Sequence, residues 1–435
     1  MKNSHISFEE NIRQTRSLFN VIEESVKDIE DLNHLKCIEG DFIIYHGSYA
    51  RLKPFRFLLH FIKSIIFIKS FNINYIQDES VSENDKIYNI ATVLTAEHLY
   101  NDNLKPVVDR LSKKKIKNTF LSVQYGRALS FSWASNALSI SIIELFVKKK
   151  IKISNILPLL YLKYGLIPNC KRLTKYTRNS LINNYSLILS AEVCDVFSRV
   201  VAMVAKENNV EFILFQCGPL IEKTNLEISS IVSDYFLAWP ESKDFFETYP
   251  LNANIQIKYF TPPRFYNACV KNKIKKYDVA VFLPWLNFTS PMKSIIDQID
   301  LTLNALEVKR LKVCIKLHPH TDEILQSFIL DMYNRFYFFP KEDDSNKLIS
   351  SSKMTVNFGS TVSYDADYMM IKTAVINLDR RLENDCEFFK LKYVMNITKS
   401  KDLNRFIESF NPKTKSKEIS LEAVEFIQSR LTLTN

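Results

Sequence analysis

Glycine is nearly missing from this 435-residue chain: six occur, where average usage near 7% would give about thirty. Such scarcity makes each one a marker, because glycine is needed where the backbone takes positive φ or must approach another group closely. Cysteines stand at 37, 170, 194, 217, 268, 314 and 386. No pair has the two-residue spacing of zinc and redox sites, so buried free thiols are expected and a bound metal is not. No run reaches the roughly 18 apolar residues of a membrane span. The nearest, Arg56 to Phe71, is cut by His60, Lys63 and Lys69. It reads as a buried helix of the first unit, or as a segment that dips into a membrane surface. The opening stretch, MKNSHISFEENIRQ, carries acids and no apolar centre. It does not read as a secretory signal, and a cytoplasmic protein is expected. Internal repeats, low-complexity blocks and any nucleic-acid module are also lacking, so nucleic acid is not an expected partner.

What the chain does contain is enough apolar matter for a large core: 46% hydrophobic and 24% charged residues. Its length suggests about two to three domains. The net charge is +10, with lysine clusters at 113–117, 148–152 and 271–276. These read either as solvated lysines or as a patch drawn to the anionic inner face of the cytoplasmic membrane.

Along the chain, Leu18, Ile22, Val26 and Ile29 recur at helical spacing, and the first forty residues read as helix. Short β-rich runs follow at 42–45, 72–76, 88–94 and 119–123. The stretch 128–205 is mostly helical in pattern, and EFILFQ, DYFLAW and IQIKYF then read as strands. Strands alternating with helices argue for parallel pairing. TPPRFYNACVKNKIKK, 261–276, has the prolines and charge of a connection. Beyond it a second alternation begins. YDVAVFLPW, KVCIKL, FYFF, KMTVNF and TAVINL are its strands, helices lie between them with Ser290 and Pro291 opening the first, and SLEAVEFIQSRL closes the chain as a helix.

Four glycines follow strand-like runs: Gly47, Gly126, Gly218 and Gly359. In open α/β sheets ligands bind outside the carboxyl ends of strands, so these positions point toward a ligand. In the second unit one strand ends in His318-Pro319-His320 and another in Gly359-Ser360-Thr361 at a helix start. Free backbone N–H groups and two hydroxyls suit a phosphate there, with His318 donating to the departing group. Asp365, about one turn into the helix, would accept from ribose hydroxyls. The blander reading is that FGST is a capped helix and His-Pro a strand terminator. Likewise EDD at 342–344 reads as helix-leading acids rather than metal ligands.

KLHPHTDE followed by NFGSTVSYDADYMMIKTAVINL resembles the HP and serine motifs of bacterial GT-B glycosyltransferases that build surface polysaccharides. These are the sialyl-, polysialyl- and Kdo-transferases and the related CDP-glycerol polymerising enzymes. FILFQCGPL, SDYFLAWPESKDFFETY and IQIKYFTPPRFY are similar to the end of their first domain, so the resemblance covers about 212–380. It implies an α/β GT-B fold of two Rossmann-like doubly wound domains facing a central cleft. Residues 1–262 would form the acceptor-side domain with a helical insertion, and 263–435 the nucleotide-sugar domain with its closing helix. The implied activity is metal-independent transfer of a sugar from a nucleotide donor, first of all a CMP-linked one, to a glycan or glycolipid acceptor of capsule, O-antigen or lipooligosaccharide. No cofactor is implied beyond the donor. His318, Pro319, Gly359, Ser360, Thr361 and Asp365 would hold that donor. Cys217 replaces the histidine or carboxylate that relatives carry before Gly218, so the base is sought at His46, Glu97 or Glu222. Two alternatives share these motifs: a CDP-glycerol-type polyol-phosphate transferase, and a non-catalytic subunit of a polysaccharide assembly complex.

Overall fold

The computed structural model describes residues 8–42, 67–77, 88–95, 100–112, 116–129, 141, 145, 155–179, 182–191, 195–218, 220, 232–251, 254–267, 275–284, 292–319, 321–341, 343–378, 387–408 and 422–433. The chain divides into two compact units. The first comprises Met1–Cys217, Glu222–Pro263 and Leu421–Asn435; the second comprises Gly218–Ile221 and Arg264–Ser420.

The first unit opens with two helices where one was expected: α1 (Phe8–Glu23) and α2 (Ile29–Asp41). Asp28 accounts for the break. Its extended backbone and its carboxylate, which accepts from Asp31 N–H at 2.8 Å, make it the cap that starts a new helix. Leu18, Ile22 and Val26 are buried as the spacing predicts, but Ile29 starts α2 and is 76% exposed.

A seven-stranded sheet follows, built of β1 (Phe67–Gln77), β2 (Tyr88–Val93), β3 (Ile116–Leu129), β4 (Leu187–Ser190), β5 (Glu211–Phe215), β6 (Tyr235–Ala238) and β7 (Gln256–Tyr259). Its order is β1-β3-β2-β4-β5-β6-β7, parallel except for β1, which runs antiparallel to β3 along the edge. Several expectations change here. Residues 67–71, read as part of a helix, lie in β1, while 56–66 fall outside the described residues. Phe42, expected in a strand, caps α2, and 43–45 also lie outside. β4 sits inside the stretch read as helical; its four residues are all buried. The helices described in this unit include α3 (Lys105–Ser112), α4 (Ile167–Arg178), α5 (Val196–Glu207) and α6 (Lys243–Thr248). None of the described helices is long and apolar enough to cross a membrane.

In the second unit the order along the chain is β8 (Tyr277–Phe282), α7 (Met292–Val308), β9 (Val313–Lys316), α8 (Glu323–Met332), β10 (Tyr337–Phe338), α9 (Ser345–Ser350), β11 (Ser352–Asn357), α10 (Val362–Tyr368), β12 (Thr373–Ile376), β13 (Val394–Ile397) and α11 (Ser400–Glu408). β13 and α11 were not legible as periodic runs, and the proposed caps Ser290 and Pro291 lie outside the described residues. All six strands are parallel in the order β10-β9-β8-β11-β12-β13. Both faces of this sheet are covered, which is why its strands read as continuous apolar runs. Val279, Val281 and Leu283 of the β8 segment enter one core with Val313, Ile315 and Leu317. Ala280 and Phe282 enter the other with Cys314, Leu348 and Ile349. Each fully buried Val, Leu, Ile or Phe contributes roughly 1.5–3 kcal/mol.

The closing helix, α12 (Glu422–Leu433), was expected in the second domain but belongs to the first unit. Arg430 donates to Glu211 of β5 at 3.1 and 2.7 Å, and Phe426 meets Tyr235 edge to face at 5.0 Å. The break between the units after the first sheet falls at Pro263 and Arg264.

Candidate functional site

In the second sheet the winding reverses at β8, with β9 on one side and β11 on the other. This is the topological switch point at which doubly wound sheets bind ligands. Register brings three strand ends level: Phe282 pairs with Lys316 on one side and with Asn357 on the other. His318 and Gly359 each lie two residues beyond that level. They share the carboxyl edge of one sheet, separated by two strand spacings, or about 10 Å. His318 is half-buried and Pro319 exposed; His320 lies outside the described residues.

The Gly359 turn is held from below by Asn357, a residue the sequence motifs did not single out. Its side chain is buried, and its Oδ1 accepts from the N–H groups of Gly359 and Ser360, both at 3.0 Å. Its Nδ2 donates to Ser363 Oγ at 3.0 Å. The turn needs glycine, since Gly359 has φ 90°. Ser360 Oγ accepts from Val362 N–H at 3.3 Å, so Ser360 does act as a local cap. This corrects the picture of a helix start with free donors: the N–H groups of Gly359, Ser360 and Val362 are already engaged, and α10 is only seven residues long. The visible signal was an asparagine ending an apolar strand just before Gly-Ser.

Asp365 is buried on α10 and pairs with Arg264 Nε at 3.0 Å. One turn further on, Tyr368 stacks on Phe265 with ring centroids 4.2 Å apart and planes 8° from parallel. The Pro-Arg-Phe segment at the start of the second unit is thus clamped to the helix behind the Gly359 turn. Asp365, expected to accept from a ribose, makes its described ion pair with a protein cation.

A buried lysine lies behind the His318 turn. Val313, Ile315 and Leu317 fill one face of β9 and Cys314 the other, which leaves Lys316 pointing with Cys314 into the covered face. Only 3% exposed, Lys316 donates from Nζ to the carbonyls of Pro340, Lys341 and Asp343 at 2.9, 2.9 and 2.7 Å. Lys341 in turn donates to Thr321 O at 3.1 Å, and Thr321 N–H donates to His318 O at 3.0 Å. A single lysine in an otherwise apolar strand was the available clue.

In the first unit the motif residues serve as a structural lock. Gln216 Oε1 accepts from Trp239 N–H at 2.8 Å, Gln216 O from Trp239 Nε1 at 3.1 Å, and Gln216 Nε2 donates to Ser242 Oγ at 2.9 Å. All three residues are buried. Cys217 is a half-buried thiol, not part of a disulfide. Gly218 follows β5, yet a β-carbon built on it meets nothing within 4 Å, so neither crowding nor its φ requires glycine there. Gly126 lies within β3 rather than at a strand end. Gly47, His46, Glu97 and Glu222 lie outside the described residues. Asp344 caps α9 by accepting from Asn346 N–H at 2.8 Å, in line with the blander reading of the acids there. In the third lysine cluster, Lys275 donates to Ser350 O at 2.7 Å, and burial lowers its pKa; residues 271–274 lie outside the described ones.

No protein-family model matches the chain. No curated protein sequence matches it either. Solved structures do. UDP-GlcNAc 2-epimerase of Methanocaldococcus jannaschii, in complex with UDP-GlcNAc and UDP, superposes with a TM-score of 0.51 at 13% identity, over 79% of this chain and 99% of that one. The Neisseria meningitidis UDP-GlcNAc 2-epimerase gives 0.49 at 12% identity, over 80% and 100%. The trehalose 6-phosphate synthase of Burkholderia multivorans gives 0.41 at 9% identity, over 81% and 95%. Together with the two sheets, one parallel throughout and the other parallel except for β1, the first of these likenesses shows a GT-B fold of two Rossmann-like units.

Proposed function

We propose that the protein is a nucleotide-sugar glycosyltransferase. The observation that carries this reading is the register of β9, β8 and β11, which sets His318 and the Gly359–Thr361 turn on one sheet edge on either side of a switch point. Side chains reaching inward from strand ends about 10 Å apart leave room for a phosphate between them. His318 donates to the leaving phosphate, Pro319 ends the strand beneath it, and the Ser360 and Thr361 hydroxyls face it from the other side. Gly359 permits the close approach. Asp365 acts through Arg264, as a brace for the turn. His46 and Glu97 are the bases proposed for the acceptor hydroxyl. A CMP-linked donor and a bacterial surface glycan or glycolipid acceptor follow from the motif resemblance. So does a position at the inner face of the cytoplasmic membrane, where lysines would meet anionic lipid; sedimentation with anionic liposomes at low and high salt checks this.

Removing a donor of this kind costs about 10²–10³ in turnover. Replacing His318 by Ala is therefore expected to slow donor turnover by about 100-fold or more with the protein still folded; unchanged turnover ends the assignment. A thermal-shift series with CMP, CDP, UDP and GDP identifies the nucleotide. The likeness to UDP-GlcNAc 2-epimerases favours a second reading, in which a UDP-sugar is epimerised. NMR of UDP-GlcNAc incubated with the protein separates the two: a C2 epimer supports the second, transfer to an added acceptor the first.

A further inference from the structure

We propose that Lys316 is a positioning residue for His318, acting through the backbone of Pro340, Lys341 and Asp343; this rests on the role assigned to His318 above. A buried ammonium facing three carbonyls cannot also bind a phosphate, because its three N–H groups are spent at 2.9, 2.9 and 2.7 Å on Pro340, Lys341 and Asp343. It organises protein instead. Three carbonyls converge on Nζ inside the covered face of the sheet, and the ammonium satisfies all three with charge-assisted hydrogen bonds. The backbone so held follows β10 and carries Lys341, whose ammonium donates to Thr321 O at 3.1 Å and reaches Gln326 Oε1 at 3.4 Å. Thr321 N–H in turn donates to His318 O at 3.0 Å. The chain of contacts therefore runs from the last residue of β9, out through the neighbouring turn, and back to the loop two residues beyond. It braces His318 from both of its backbone ends: the strand on one side, Thr321 on the other. Phe339 lies beside the lysine, its ring centroid 5.3 Å from Nζ, within range of a cation–π contact.

A misplacement of about 1 Å in a catalytic group lowers rate by up to about 100-fold. Lys316→Met removes the cation while keeping the stem, and Lys341→Met cuts the outer link without burying an unpaired group, so it is the variant that stays folded. Nucleotide affinity and donor turnover are measured for wild type, His318→Ala, Lys341→Met, Lys341→Arg and Lys316→Met, using whichever of CMP, CDP, UDP and GDP stabilises the wild type. Melting temperature is followed in parallel. His318→Ala is expected to bind that nucleotide more weakly than the wild type. Lys341→Met is expected to keep its melting temperature yet slow donor turnover about 10-fold with KM nearly unchanged, and Lys341→Arg to restore most of the rate. Lys316→Met slows turnover likewise and also melts earlier. A Lys341→Met protein with wild-type turnover overturns the positioning role while leaving His318 in place. A His318→Ala protein that binds as the wild type does overturns the His318 reading, and the inference with it.

Discussion

His34 illustrates how a residue with no part in the candidate site still makes a testable demand on the protein. It is buried in α2, its Nδ1 contacts Glu30 O at 2.6 Å, and its Nε2 meets no partner among the described residues. Burial lowers its pKa from 6.5, against the opposing pull of the Glu30 carbonyl and carboxylate; Lys171 and Arg178 lower it further. The unfolded chain therefore takes up the proton more readily than the folded one. The neutral ring's contribution is fully present above about pH 6.5 and is lost as pH falls through the lower folded value. Urea midpoints are expected to drop between pH 8 and pH 5.5, and His34→Gln to flatten that fall; parallel pH dependences for the two proteins would contradict it. At this same scale the glycine argument divides. Gly359 stands where a positive φ demands it, whereas Gly126 and Gly218 do not, because scarcity in a sequence cannot tell a conformational need from an open surface.

Among the elements, long periodic runs were legible and short ones were not. β8, β9, β11 and β12 are buried on both sheet faces, and their continuous apolar character showed it. β4 has only four residues and β13 carries the pattern Val-Met-Asn-Ile, and neither stood out from its surroundings. The antiparallel direction of β1 depends on its partner β3, forty residues on, and no local signal encodes it. α10 is held by what lies outside it: Arg264 on Asp365 and Phe265 on Tyr368. Breaking a buried ion pair by removing one partner costs about 3–5 kcal/mol. Arg264→Met is expected to destabilise the second unit by that order in chemical unfolding, and Arg264→Met/Asp365→Leu by less, since no lone charge then stays buried. Equal losses in the two proteins would show that the pair is not coupled.

For the whole molecule, the last helix is the instructive part. Its amphipathic pattern marked it as a helix but named no partner. Arg430 and Phe426 bind Glu211 and Tyr235, so the end of the chain completes the unit that the start of the chain began. Truncation before Leu421 is expected to lower the calorimetric transition of the first unit and leave that of the second nearly unchanged; the reverse order would place α12 with the wrong sheet.

By itself the sequence determined that there are two α/β units, where most strands of the second lie, and that a His-Pro and a Gly-Ser-Thr end two of them. All of this is written in local periodicity and in residues with special backbone needs. Tertiary structure alone decided that those two ends stand level beside β8, that Asn357 holds the Gly359 turn, that Lys316 is buried on three carbonyls, that Asp365 is met by Arg264, and which unit owns the final helix. The reason is physical: register, burial of a lone polar group and choice of partner depend on residues that are distant along the chain and meet only when the sheets have formed.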